Sequence, residues 1–201
     1  VLPAGFVGVD VFFVISGFLI TTLLVREREE RGRIGLGDFW RRRARRLLPA
    51  IGLVVLVCAS LAWLVGGDVL VGLHGQLVGA ATFSYNWLAV AAGASYFGGG
   101  FEASAPELFR NLWSLAVEEQ FYLLWPLLLP VVLRLRRGRV VVAVGLAAAS
   151  VAAAVLLGGG DLTRVYYGTD THAFGLLLGV ALAFLRPGDR THGVPGVVGA
   201  G

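Results

Sequence analysis

The sequence predicts an all-α fold, a polytopic bundle of membrane-spanning helices, and three observations carry that prediction. Of its 201 residues, 57% are hydrophobic and only 15% charged, whereas soluble domains carry about a quarter charged residues; mean hydropathy is +0.78. Apolar runs recur at about the 20-residue length that an α-helix needs to cross the hydrocarbon of a bilayer. The strongly basic stretches, built from arginine without a single lysine, fall at the edges of those runs, as loop charges do in membrane proteins.

Five spans are expected in order, at residues 6–25, 47–66, 112–133, 140–158 and 171–185. A sixth apolar segment, 69–92, carries His74, Gln76, Tyr85 and Asn86 and is less simply a crossing. The first span is not a cleaved signal peptide, because it lacks a basic n-region and an A-x-A site and holds Asp10 inside the apolar run. The chain opens on Val1 and ends in GVPGVVGAG, so residues 1–201 are expected to form one partial transmembrane domain, truncated at both ends. Cys58 is the one cysteine, which excludes an intrachain disulfide. The sequence shows no metal-ligand cluster and no Walker-type glycine loop. With basic residues at membrane edges, the net charge of +4 points to topology and a lipid bilayer, not to nucleic acid.

Orientation follows from the arginines. Nine lie between the first two spans, at 26, 28, 31, 33, 41, 42, 43, 45 and 46, against four acids, which places that loop in the cytoplasm. A full crossing by 69–92 would then put the basic stretch RLRRGR (134–139) outside. A re-entrant or broken segment at 69–92 removes that conflict and makes Arg134 to Arg139 and Arg186 to Arg190 cytoplasmic. Non-helical backbone at that depth must be covered by protein or line a cavity. The stretches 93–111 and 159–170 then face outward.

Polar groups inside apolar runs mark the candidate site, because an ionised acid at mid-bilayer costs at least about 2.5 kcal/mol and must face protein or water. Asp10 shares a helical face with Gly17 and Thr21, seven and eleven residues on; it serves either a bond to another helix or a site. In SLAVEEQFYLLWPLLLP, Ser114, Glu118 and Tyr122 recur at i, i+4 spacing, and Pro126 removes the donor to the Tyr122 carbonyl. Glu118 and Glu119 lie about 100° apart on a helix and cannot easily share a partner. One of the pair can instead cap the helix start. Arg43 and Arg46, three apart, can present both guanidinium forks on one side, which suits phosphate; as part of a basic loop they also suit a topology anchor on anionic lipid. Arg26, Arg28, Arg31 and Arg33 alternate with glutamates as a solvated helix end. His172, after YYGTDT at the outer mouth of the last span, is a candidate substrate contact; His74 and His192 are not. The tryptophans suit interfacial or packing positions.

Three blocks together resemble one family. GFVGVDVFFVISGFLITTLL (5–24), DFWRRRARRLLPA (38–50) and NLWSLAVEEQFYLLWPLLL (111–129), with TDTHAFGLLLG (169–179) as a weaker fourth, look like the successive signatures of the acyltransferase family three of integral membrane proteins. The resemblance covers essentially the whole chain, in order. It implies a multi-pass enzyme of the bacterial cytoplasmic (inner) membrane that moves an acyl group, usually acetyl, from a cytoplasmic acyl-CoA to a hydroxyl of a cell-envelope carbohydrate or glycosylated compound, with no bound cofactor. Arg43 and Arg46 fall on the family's arginine pair, which the resemblance assigns to the donor side. The family's essential histidine lies on a helix before the GFVGVDVFF block, outside this sequence. Asp10 and Glu118 or Glu119 are then expected to orient or charge-balance it, with Ser114, Tyr122 and His172 near substrate. Relatives often carry histidine where Asn111 stands and arginine where His172 stands, which bears on the acceptor. The alternative is a transporter or flippase using the same intramembrane acids, although no internal symmetry is visible; a non-catalytic scaffold is a third possibility.

Overall fold

A computed structural model describes residues 4–93, 108–135, 138–160 and 162–186, with side chains from residue 7 onward. The helices are α1 (Ala4–Arg31), α2 (Leu36–Val65), α3 (Leu73–Ala81), α4 (Tyr85–Ala91), α5 (Leu112–Arg134), α6 (Arg139–Leu157), α7 (Leu162–Tyr167), α8 (Thr169–His172) and α9 (Phe174–Leu185), with a 3-10 turn at Gly67–Leu70 before α3. No strand occurs among the described residues. The chain is an all-α, multi-pass membrane protein: α1, α2, α5 and α6 are each long and apolar enough to cross a bilayer. The expected fifth span is the shorter α9, 12 apolar residues, which rises about 18 Å at 1.5 Å per residue and is preceded by the small helices α7 and α8.

The segment 69–92 is broken, as the charge pattern requires. It makes two short helices of 9 and 7 residues, neither able to span, joined by a turn in which the Ser84 N–H returns to the Gly79 carbonyl at 2.9 Å. Gly79 lets them close on each other, since a Cβ there would sit 2.9 Å from the Cα of Tyr85. The outward stretch expected at 93–111 lies outside the described residues for most of its length (94–107), as do Arg136, Arg137, Arg190, His192 and the glycine-rich tail.

The basic ends of the helices collect on one side. Arg28 near the end of α1 reaches the Pro130 carbonyl near the end of α5 at 3.5 Å, and Arg139 at the start of α6 lies 5.3 Å from the ring of Phe184 near the end of α9. The arginine–glutamate end of α1 is the salt-bridged surface expected of it, with Arg26–Glu30 at 2.7 Å and Arg31–Glu27 at 3.4 Å; exposed pairs of this kind contribute little to stability. α5 is the most buried of the long helices, 44% of its apolar window being inside the protein against 6% for α2. α5 is therefore the central post, and α2 presents Leu53, Leu56, Trp63 and Leu64 outward.

α1 and α9 pack backbone to backbone. A Cβ on Gly17 would lie 2.0 Å from the Leu176 carbonyl oxygen, and one on Gly179 would lie 2.1 Å from that of Val14. Lipid tails are as apolar as leucine, so close van der Waals approach through small residues is what drives helices together in a membrane. The stripe of Asp10, Gly17 and Thr21 thus divides: Gly17 makes this contact, while buried Thr21 accepts the indole N–H of Trp125 at 2.9 Å.

Candidate active site

The site begins with the two adjacent acids of α5, which point to different partners as their helical offset demands. Glu118 is buried at 5% exposure and faces α1, where the Ser16 hydroxyl donates to its Oε1. The Tyr122 hydroxyl, one turn along α5, donates to the same oxygen at 2.5 Å and lies 2.8 Å from Ser16 Oγ. A buried carboxyl group is tolerable only when hydrogen-bonded, and here two hydroxyls converge on one of its oxygens. Glu119 faces α2 and pairs with Arg43 Nη2 at 2.6 Å. The Arg43 guanidinium also lies 3.6 Å from the centroid of the Tyr122 ring, close enough for a cation–π contact. Arg43 is thereby held between the carboxylate of Glu119 and the face of Tyr122.

Pro126 completes the joint. Its missing N–H leaves the Tyr122 carbonyl without its helical donor, and the Trp40 indole N–H of α2 takes that place at 3.2 Å. A cleft of about 250 Å³ opens beside these groups, and Trp40, Arg43, Glu119, Gln120 and Tyr122 are among the residues that line it. Gln120 is saturated: its Nε2 donates to the Phe83 carbonyl at 2.8 Å and to Asn86 Oδ1 at 3.0 Å, and its Oε1 accepts from Thr169 Oγ1 at 2.6 Å and Trp87 Nε1 at 3.2 Å. Fully buried Asn86 donates in turn to the Tyr167 carbonyl at 3.0 Å and Thr169 Oγ1 at 2.9 Å. This network ties α4, α5 and the α7–α8 corner to the wall of the cleft.

A second cluster lies toward the outer end of α1. His172 Nε2 is 3.3 Å from Asp10 Oδ1, and the imidazole is boxed by Phe13, Trp113, Tyr166 and Phe174 with ring centroids 5.2–5.9 Å away. Beside it, Arg164 grips Asp170 with two bonds of 2.9 and 2.8 Å, which holds the Asp170 carboxyl below its ordinary pKa.

Of the residues singled out in the sequence, the structure gathers Glu118, Glu119, Tyr122 and Arg43 into one cluster and joins Asp10 to His172 in another. Arg46 is exposed and does not line the cleft with Arg43. Ser114 turns to the Asn111 carbonyl at 3.4 Å, so the i, i+4 series on α5 is joined at Glu118 and Tyr122. Ser16, Trp40, Phe83 and Gln120 were not foreseen. Ser16 is a hydroxyl within an apolar run and Gln120 directly follows the two acids, so both carried the same signal as Asp10; nothing local marks Trp40 or Phe83.

The family described as the acyltransferase domain matches residues 2–199. The chain belongs to that acyltransferase family. It is 40% identical over 191 residues to the peptidoglycan O-acetyltransferase OatA of Listeria monocytogenes, covering 92% of this chain and 30% of the relative. It is 39% identical over 193 residues to the putative peptidoglycan O-acetyltransferase YrhL of Bacillus subtilis, with 92% and 30% covered. A putative O-acetyltransferase of Staphylococcus aureus is 39% identical over 191 residues, with 92% and 31% covered. This acyltransferase chain therefore spans about a third of the length of the relatives it matches. No solved structure matches it.

Proposed function

We propose that this chain is part of a membrane O-acyltransferase that moves an acyl group, acetyl by analogy with the relatives' names, from a cytoplasmic acyl-CoA to a hydroxyl of a cell-envelope carbohydrate, in the bacterial inner membrane. The observation that carries the proposal is the clamped Arg43. A cation fixed by Glu119 and Tyr122 at a cleft wall is preorganised to meet negative charge, and preorganised charge is commonly the largest single contribution to catalysis. In the overall transfer the acceptor oxygen bonds to the thioester carbonyl carbon, the C–S bond breaks, and the hydroxyl proton ends on the departing thiolate.

On this proposal Arg43 meets the thioester end of the donor, and exposed Arg46 lies with Arg41, Arg42 and Arg45 on the aqueous face of α2, where guanidinium groups suit the phosphates of coenzyme A. Glu118 with Ser16 and Tyr122 is a relay of exchangeable protons beside the cleft, and Glu119 positions Arg43. Asp10 and His172 mark the acceptor side, and Ser114, near the start of α5, is a further candidate contact to substrate. The test is transfer of radiolabelled acetyl from acetyl-coenzyme A to envelope carbohydrate by membranes containing the full-length protein. Wild type is expected to label carbohydrate, and Arg43→Ala at matched abundance to lose at least about 100-fold in rate, as on losing one preorganised donor. Equal labelling by both would reduce Arg43 to a topology anchor.

A further inference from the structure

The turn between α3 and α4 is the strained point of the described backbone. Phe83 has φ = 52°, and it alone among the described non-glycine residues lies at positive φ. Glycine takes this conformation freely, whereas a bulky side chain there is an outlier that persists only when its surroundings over-determine it. They do so here. Gln120 holds the Phe83 carbonyl at 2.8 Å, and on either side Thr82 Oγ1 donates to the Val78 carbonyl at 2.7 Å and lies 2.6 Å from Ser84 Oγ. Phe83 lines the cleft together with Ala44, Leu47 and Leu48 of α2 and Leu123 of α5.

This wall faces the same cleft as Arg43. Arg43 and the apolar side chains of Leu47, Leu48, Phe83 and Leu123 line one cleft of about 250 Å³, so a thioester held at Arg43 would lay its acyl group against this wall. We infer that Phe83 is the residue that limits acyl length, its strained turn holding a ring where a longer acyl chain would lie. The inference rests on the acyl-CoA donor proposed above and adds to it the residue that keeps the transferred acyl group short.

The experiment is a competition in membranes containing the full-length protein, supplied with equimolar acetyl-CoA and butyryl-CoA carrying different isotopes in their acyl groups, with label counted in envelope carbohydrate. Wild type is expected to favour acetyl. One methylene in a fitted apolar pocket is worth about 10- to 200-fold, so Phe83→Ala is expected to raise the butyryl-to-acetyl ratio at least about tenfold. Phe83→Gly, which suits the positive φ and removes the same ring, is expected to give the same change and guards against a folding defect in the alanine variant. An unmoved ratio in Phe83→Gly overturns the inference and leaves the donor proposal standing, as does loss of both transfers in a protein that accumulates normally. Transfer of neither group by wild type overturns the donor proposal, and the inference falls with it.

Discussion

At the scale of single residues, a backbone acceptor freed inside the bundle can draw a donor from another helix. The Tyr122 carbonyl freed by Pro126 and taken by Trp40 is one case, and it gives a direct expectation. Trp40→Phe keeps most of the ring and removes the donor, leaving an acceptor on buried Tyr122 unpaired; stability is expected to fall by about 1–3 kcal/mol, read by chemical unfolding in detergent micelles. Asp170 gives a pH expectation. The Arg164 hydrogen bond lowers its pKa in the folded state, so the unfolded chain binds the proton more readily. Its stabilising contribution is therefore complete above the unfolded carboxylate pKa of about 3.9 and fades as pH falls through the lower folded value. The difference in melting temperature between wild type and Asp170→Asn should be level above pH ~5 and shrink toward pH ~3. A gap that widens on acidification would contradict the sign.

At the scale of elements, helix existence was legible and helix partnership was not. Hydropathy placed the long helices and the arginines forced 69–92 to break, because bilayer thickness and loop charge act on short stretches of chain. Which faces meet is decided by atoms a hundred residues apart. The offset of Glu118 from Glu119 told that they would part, but not that one would reach Ser16 and the other Arg43. The pairing of Arg43 with Arg46 was inferred from spacing on one helical turn, yet the ion pair to Glu119 draws Arg43 alone into the cleft. The α1–α9 contact supplies the prediction for this scale. Gly17→Ala and Gly179→Ala each thrust a methyl into the opposing backbone and are expected to destabilise by about 1–3 kcal/mol. Gly145→Ala, with open space around it, should be neutral or slightly stabilising. Unfolding of the three variants in the same micelles separates close packing from a general effect of helix propensity.

At the scale of the whole molecule, the basic ends of α1, α5 and α6 and the residue after α9 lie on one side, which the positive-inside rule makes cytoplasmic. In a Cys58→Ala background, Arg33→Cys is expected to react with a membrane-impermeant maleimide only after cells are opened, and Gly159→Cys on intact cells. The reverse pattern would invert the protein and with it the donor side of the cleft.

Three indole N–H groups sit at three different joints of the central helix. Trp40 binds α2 to α5 through Tyr122, Trp87 binds α4 to α5 through Gln120, and Trp125 binds α5 to α1 through Thr21. Each joint thus carries its own optical reporter. Restoring one of these tryptophans at a time to a protein whose other four are phenylalanine would let emission wavelength follow α2, α4 and α1 separately as donor is added, and so reveal which helix moves to admit it.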